Sequence, residues 1–448
     1  MGKTGLRARA AGLLDLLRCR AGPDDDDATL VDYAAVCHIK RVPNPVLGEI
    51  FALSTPTSWD TLVLAHVAAC WRKVAFAAPE LWTDIDACGQ QFEALRWCLE
   101  RSGGCLVDVR LSLSQENWAA GVGPLLLAEV VSQAMRLRRL SILADFVGAD
   151  KAVRVACGRL CAPHLEHLSF VFLEQLPWNQ DFIQEFDFSP VVFAGGVPKL
   201  AVLRLQHAEL PTFPPLRSVT ALHLEEYTCP PMSFHCFCAL LDELPALAKL
   251  SIYGDLVTSW SRTADIYLPH LRSLRSSSNA RVGNMLLSLH APALESLVLK
   301  NYRAVELTGL WAGLNCATEL KFPALTSLSL HGSLSTSVLA AFVREFSGIL
   351  HLELVNCYAD DAVRLLEGKD ALPELRSLML HRLWDAAALG QLLVSRAHGL
   401  TVSLHCDAPL AYPGVQRWDK LAPWPSEADW DADDMFAQLR RSWDSPSL

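Results

Sequence analysis

Cysteine and histidine are the residues best suited to chemistry, and one group of them has a spacing that could bind a metal. Cys157, Cys161, His164 and His167 lie close together in the chain, and short-spaced thiolates and imidazoles are typical of zinc sites. However, the two histidines flank a predicted strand, in which alternation turns neighbouring side chains toward different environments. We therefore predict that no metal binds here.

Other patterns give little support for catalysis. Gly2-Lys3-Thr4 resembles the end of a phosphate loop, but it lacks the upstream glycine and strand that hold a phosphate. Asp84 and Asp86 form an Asp-x-Asp pair, expected in a solvated turn, and we find no nucleophile elbow or zinc-protease pair. We predict a chain that is not an enzyme and needs no cofactor, the alternative being an active site assembled from distant residues.

Composition limits the partners and the location of the protein. The net charge of −10 over 448 residues argues against a nucleic-acid partner, because binding to phosphates needs clustered Lys and Arg. No apolar run is long enough to span a membrane. The fourteen cysteines are scattered without a regular framework, which indicates reduced thiols in an intracellular protein, cytoplasmic or nuclear.

Three short helices are predicted between residues 42 and 86. Pro43 suits the start of the first, since its missing N–H is spare in a first turn. The apolar residues of this first helix recur at helical spacing and predict a buried stripe, namely Val46, Leu47, Ile50 and Phe51. Thr57-Ser58 offers an N-cap for the second helix, and Pro79 is expected to end the third near Phe76 or Ala77.

The order of residues in this segment resembles an F-box. The similarity rests on several short motifs: Val42-Pro43, the apolar set of the first helix, then Leu62, Leu64 and Val67, Trp71-Arg72, and Pro79-Glu80-Leu81-Trp82. In F-box proteins this module docks the Skp adaptor of cullin-based ubiquitin ligases. The resemblance implies adaptor contacts at or near Val42, Pro43, Leu47, Ile50, Leu62 and Val67, and a core that includes Phe51, Trp71 and Trp82.

Two positions depart from the family pattern. Pro45 stands where an acidic residue is usual, and Ala68 where a cysteine is usual. The alternative is a helical cap that covers the end of the next domain. Residues 87–105 are predicted to contain a linking helix that stops at Gly103-Gly104, followed by an alternating strand from Leu106 to Leu113. This continuation resembles a large group of fungal F-box proteins.

From about residue 137 a leucine-rich unit recurs, and most copies begin with Pro, a spacer and Leu. The ten copies start at Leu137, Leu165, Leu200, Val219, Leu247, Leu271, Leu294, Leu325, Ile349 and Leu375. Alternate leucines of a short strand point inward, and no unit can bury them without a neighbour on each side. We predict an α/β fold in which residues 106–411 form a curved leucine-rich repeat solenoid with parallel strands inside and helices outside. The helical patterns are clearest at residues 338–346, 361–366 and 386–395.

Several further features are predicted around this array. The histidines that fall on or beside strands are expected to line its exposed concave face: His207, His223, His331, His351 and His381. Residues 174–198 form an aromatic-rich insertion, either a binding lip or a cover for the solenoid flank. Residues 412–448 are an acidic-aromatic cap or partner-binding tail, and residues 1–40 a disordered or helical tail with an acidic run.

The resemblance implies a non-catalytic substrate-recognition subunit of an SCF (Skp–cullin–F-box) ubiquitin ligase. The F-box would bind the Skp adaptor, and through it a cullin, while the repeats would bind an unknown target protein on their concave face. The alternative is a leucine-rich protein-interaction scaffold that does not join a ubiquitin ligase.

Overall fold

The computed structural model divides the chain into two compact units, one ending at Val109 and the other beginning at Arg110. The residues that it describes are 42–54, 57–87, 92–146, 148–172, 191–206, 213–225, 232–257, 260, 266–277, 281–300, 302, 307, 321–332, 336–355, 359–366, 371–381, 386–396, 400–405 and 415–418. No helix within these residues is long and apolar enough to cross a membrane.

The first unit is mainly helical. Its elements are α1 (Asn44–Ser54), α2 (Ser58–Val67), α3 (Ala69–Ala77), a 3-10 turn (Pro79–Trp82), β1 (Asp84–Ala87) and α4 (Phe92–Arg101).

Local sequence signals explain where these helices begin and end. The side chain of Thr57 accepts a hydrogen bond from the backbone N–H of Asp60, so Thr57 is the N-cap of α2 as predicted. α3 ends at Ala77, two residues before Pro79. After α4 the chain turns at Gly103, whose φ of 55° favours glycine.

Aromatic rings fill the interior of the first unit. Phe51 and Trp71 pack with ring centroids 5.2 Å apart, and Trp82 meets Trp97 edge-on at 4.8 Å. The indole N–H of Trp82 donates to the carbonyl of Ala75 at 2.8 Å, which satisfies its polar atom in the interior. This packing ties α3 and the 3-10 turn to α4.

From β2 onward, thirteen strands form one sheet. Every neighbouring pair from β3 onward is parallel. Its strands are β2 (Val107–Leu113), β3 (Leu137–Ala144), β4 (His167–Phe172), β5 (Val202–Gln206), β6 (Ala221–Glu225), β7 (Lys249–Tyr253), β9 (Ser273–Ser277), β11 (Ser296–Lys300), β12 (Ser327–His331), β13 (His351–Val355), β14 (Ser377–Leu380), β15 (Thr401–His405) and β16 (Gln416–Trp418). A separate parallel pair joins β8 (Ile266–Tyr267) to β10 (Leu289–His290).

Helices connect many of these strands. They are α5 (Gln115–Ala119), α6 (Val122–Ser132), α7 (Ala149–Cys157), α8 (Phe234–Asp242), α9 (Val282–Ser288), α10 (Thr336–Glu345), α11 (Ala359–Leu366) and α12 (Ala386–Ser395), with a 3-10 turn at Ala134–Arg136. The last three confirm the helices predicted in that part of the chain. The α/β class and the long parallel sheet therefore agree with the repeat pattern.

The repeated apolar residues form two continuous ladders across the sheet. The first runs in register through Leu140, Leu168, Leu203, Leu222, Leu250, Leu274, Leu297, Leu328, Leu352, Leu378 and Val402. The second runs through Ile142, Phe170, Leu205, Leu224, Ile252, Ser276, Leu299, Leu330, Leu354, Leu380 and Leu404. No member of either ladder is more than 4% exposed, so the repeats bury their apolar side chains against one another.

The recurring Pro-x-Leu motif forms the turn that leads into a strand. In the copy Ala291 to Leu294, the N–H of Leu294 bonds to the carbonyl of Ala291 at 3.1 Å, and the N–H of Leu325 bonds to the carbonyl of Phe322 at 3.2 Å in the next copy. Proline then occupies the second position of a four-residue turn, for which its fixed φ is well suited. The motif therefore sets the entry angle of the strand.

Candidate functional surfaces

The residues predicted to contact an adaptor do not all lie on the surface of the first unit. Leu47 is 3% exposed and belongs to the core. Of the predicted buried stripe, Leu47 and Phe51 pack inward, whereas the predicted burial of Val46 and Ile50 is wrong because both are exposed. The place of Leu47 at or near an adaptor contact stays a prediction. Ile50 and Val67 are 44% and 40% exposed.

The remaining predicted residues divide in the same way. Val42 and Leu62 are half-buried, and Pro43 is exposed. The carbonyl of Pro43 accepts from the N–H of Leu47 at 2.9 Å, so this proline immediately precedes α1 and caps it. Trp71 and Trp82 are 6% and 0% exposed, inside the aromatic core described above.

An apolar surface lies on α1 and α2. Of the ten large apolar side chains that are exposed in the described part of the chain, five belong to these two helices. We call these five the docking surface: Val46, Ile50, Leu53, Val63 and Val67. Leu53, which is 88% exposed, is not among the residues that the sequence predicts to contact an adaptor. The three on α1 recur at i, i+4 and i+7 and the two on α2 at i and i+4, so each of these consecutive helices exposes an apolar stripe, which is typical of a protein-binding surface.

The second unit has a polar face on its sheet, made by the side chains that alternate with the two ladders on β3 to β15. At the middle of β5, β6 and β9 this face is buried: Arg204, His223 and Arg275 are 2%, 2% and 3% exposed. The predicted exposure of His223 is therefore wrong, and His381 is also buried at 8%. Strand alternation shows which side of the sheet a residue occupies, but it does not show what covers that side.

The buried part of the polar face contains an ionic group. The Glu225 carboxylate lies 3.3 Å from Nε2 of His223 and 3.7 Å from Nη2 of Arg204. Nη2 of Arg204 also donates to Oε1 of Gln206 at 3.2 Å. These contacts offset part of the cost of burying the charges, and they fix the side chains in one arrangement.

A second polar group, on β12 and β13, is closer to the surface. Ser329 Oγ donates to Oε2 of Glu353 at 2.5 Å and lies 2.8 Å from Nε2 of His331. The His331 and Glu353 side chains are 13% and 14% exposed. Burial alone raises the pKa of Glu353, but His331, Ser329 and the charge of Lys300 together lower it below its ordinary value.

This arrangement favours a fixed carboxylate over an activated serine. The Ser329 proton is directed to Glu353, and the same Nε2 atom of His331 faces both the hydroxyl and the carboxylate. A nucleophilic triad places the imidazole between the hydroxyl and the acid, with a different ring nitrogen facing each. The group therefore keeps the Glu353 side chain ionised, and its polar atoms can form hydrogen bonds.

The cysteine and histidine group singled out in the sequence is dispersed among different environments. Cys157 is buried in α7, and burial raises the pKa of its thiol to about 12, whereas Cys161 is exposed. Nδ1 of His164 lies 3.4 Å from Nζ of Lys199, and His167 is buried on β4. No group of three or more His, Cys, Asp and Glu residues in the described ranges could hold a metal ion. Asp84 and Asp86 lie on strand β1, so their predicted place in a turn is wrong.

The described part of the aromatic-rich insertion packs against the end of α7. The N–H groups of Phe193, Ala194 and Gly195 bond to the carbonyls of Cys157, Gly158 and Leu160 at 2.8–3.0 Å. Phe193 itself is fully buried. This part of the insertion covers the unit. Residues 173–190 lie outside the described residues, as do His207, the acidic-aromatic segment after Trp418 and the tail before Val42.

Comparison with known proteins adds no family. No protein-family model matches the sequence, and no curated protein matches it. The chain is similar to a Bacteroides fragilis protein whose crystal structure was determined by the Northeast Structural Genomics Consortium. The two share 14% identity over 69% of this chain and 77% of that one, with a TM-score of 0.36. A likeness at this level carries no argument about function.

Proposed function

We propose that the chain is the substrate-recognition subunit of an SCF-type ubiquitin ligase. In this function, α1 and α2 dock the Skp adaptor, and the sheet unit binds the target protein. The chain contributes positioning, because holding a target near the conjugating enzyme raises the effective concentration of its lysines. Catalysis belongs to that enzyme.

The observation that carries the proposal is the docking surface. Its five apolar side chains are exposed, whereas the aromatic side chains of the core pack against one another and the Trp82 indole N–H has its hydrogen-bond partner within the unit. The five exposed side chains can therefore contact a partner. Removing this apolar area from water on binding provides the main driving force for association. The order of residues from Val42 to Trp82 resembles an F-box, and this resemblance supports the Skp adaptor as the proposed partner.

The two departures from the family pattern are compatible with such docking. Pro45 lies in the first turn of α1, where a missing N–H breaks no helical hydrogen bond. Ala68 is the extended residue between α2 and α3, with φ −153° and ψ 155°. Neither position alters which side chains of α1 and α2 are exposed.

Co-purification of the full chain with the Skp adaptor tests the proposal. Ile50→Asp places a charge on the docking surface, where it would have to be buried without a partner on binding. We expect this variant to lower adaptor capture about tenfold or more, since the loss of binding free energy exceeds about 1.4 kcal/mol. Leu47→Asp is less informative, because a charge in the core would unfold the unit.

Val155→Asp is the matched control. Val155 is an exposed valine on α7 in the other unit, and its substitution should leave adaptor capture unchanged. Failure of the full chain to capture the adaptor, or capture by Ile50→Asp at the level of the original protein, would exclude the ligase function. The interaction scaffold would then be the remaining alternative.

A further inference from the structure

The helix α12 presents an uncharged side to solvent. None of its ten residues is Asp, Glu, Lys or Arg. Val394 is 79% exposed, and the residues around it on the helix are exposed or half-buried. We call this side the α12 surface: Ala387, Gly390, Gln391, Leu393 and Val394. A helix side that carries no charge is better suited to packing against another segment than to water.

An earlier helix of the same array is covered more completely. α10 packs against α11, which follows it, and its exposed residues within the described ranges are Ser337 and Arg344, both polar. α12 also packs against α11, but the described part of the chain contains no later helix to cover α12 in turn. The last unit of a solenoid lacks a neighbour on one side, and a capping segment ordinarily takes its place.

The sequence that follows the sheet has the pattern that such a segment needs. Residues 419–448 contain no further copy of the leucine-rich unit. Apolar residues recur there at i, i+3, i+4, i+7 and i+11, namely Ala432, Met435, Phe436, Leu439 and Trp443. This spacing is typical of a helix with one apolar side. The opposite side of the same pattern is polar, with Asp431, Asp434, Gln438 and Arg441.

The connection between the sheet and this segment is long enough to reach α12. β15 follows α12 in the chain and pairs with β16, the last described strand. Residues 419–430, which join β16 to the segment, span up to about 40 Å when extended, whereas packed helices lie about 8–10 Å apart. A tethered segment is also present at a high effective concentration, which favours it over a second protein.

We propose that residues 431–443 bind the α12 surface and cover the end of the array. Docking removes Leu393 and Val394 from water, and the burial of this apolar area drives the contact. Ala387 has a small side chain and Gly390 has none, so an aromatic ring of the segment can approach the helix between the larger residues.

This inference decides between the two alternatives that the sequence leaves for residues 412–448, an acidic-aromatic cap and a partner-binding tail. An uncharged helix side at the same end of the sheet favours the cap. The inference does not depend on the proposed function, because adaptor docking is assigned to α1 and α2.

Limited proteolysis of the full chain with trypsin tests the inference. Trypsin cuts after Arg440 and Arg441, which lie within the segment. Val394→Asp places a charge on the α12 surface, and docking would bury that charge without a partner. We expect cleavage at these arginines to become about tenfold faster, because the rate follows the fraction of chains in which the segment is detached. Mass spectrometry of the fragments measures it.

Val155→Asp is the matched control. Val155 is an exposed valine on α7 and, like Val394, is 79% exposed. Its substitution should leave cleavage at Arg440 and Arg441 unchanged. Because both valines are exposed, neither variant should unfold the sheet, which thermal unfolding verifies.

A reciprocal variant changes the segment instead of the helix. Phe436→Asp with Leu439→Asp should make the α12 amides exchange hydrogen about tenfold faster, since undocking leaves this helix less protected. The α10 amides should keep their exchange rates. Gln438→Asp adds a charge on the polar side of the pattern and should leave α12 unchanged.

Three results would overturn the inference. The first is equal cleavage of the original protein and Val394→Asp by trypsin. The second is α12 exchange that does not respond to Phe436→Asp with Leu439→Asp, or responds equally to Gln438→Asp. The third is a dimer that Val394→Asp converts to a monomer in sedimentation without faster cleavage, which would assign the α12 surface to a second copy of the chain.

Discussion

At the scale of single residues, Ser276 is the polar exception in the second ladder. It lies in register between Ile252 and Leu299, where a leucine would ordinarily pack. Tyr302 donates from its hydroxyl to Ser276 Oγ at 2.6 Å, and both residues are buried. Tyr302→Phe should therefore lower the free energy of unfolding by about 1–3 kcal/mol, since it removes the partner of a buried hydroxyl. Urea denaturation measures this change.

The double variant Ser276→Ala with Tyr302→Phe isolates the hydrogen bond. It should be less destabilised than the sum of the two single variants, because neither polar group is then left without the other. Tyr267→Phe is the control, since Tyr267 is 63% exposed and should contribute little. Additive effects of the two core substitutions would show that the hydroxyl pair makes no specific contribution.

At the scale of elements, Arg396 joins two consecutive repeat helices. It follows α12, and its guanidinium donates to the carbonyl of Leu366, the last residue of α11, at 3.1 Å. It also donates to the carbonyls of Leu372, at 2.7 Å, and Ala371. Arg396→Met should destabilise this region by about 1–3 kcal/mol, because partly buried carbonyls lose a charged donor. Hydrogen exchange of the α11 and α12 amides measures the local effect.

Arg376→Met provides the comparison, since Arg376 is an exposed arginine in the same region of the chain. It should leave the exchange rates of α11 and α12 nearly unchanged. Similar acceleration by both substitutions would mean that general surface charge, and not the contact of Arg396 with the carbonyls, stabilises these helices.

The same scale shows what the sequence could predict. Leucine spacing and the Pro-x-Leu turn located most ladder strands, because each motif directly determines a local geometry. The sequence could not show that Leu47 is buried and Ile50 exposed. Both are apolar residues of one helix, and only tertiary packing decides which of them is covered. The burial of His223 was missed for the same reason. The short strands β15 and β16 were absent from the predicted copies, because they lack the full leucine pattern.

At the scale of the whole molecule, contacts between neighbouring strands stabilise the parallel sheet. In such arrays the total is close to a sum of unit and interface contributions, so the position of a defect matters. Leu297→Ala creates a cavity at β11, in the interior of the sheet, where this leucine is fully buried. We expect a loss of about 2–5 kcal/mol, and a lower denaturant m-value because the flanking strands can then unfold separately.

Leu404→Ala makes the same chemical change in β15, next to the last strand of the sheet, where Leu404 is 1% exposed. A defect there can release only the end of the array, so the main unfolding transition should keep its midpoint and lose a little amplitude. If both variants instead shift the midpoint equally at an unchanged m-value, the whole sheet unfolds as one cooperative unit. The nearest-neighbour description would then fail, because coupling between distant strands would have to exceed the cost of either cavity.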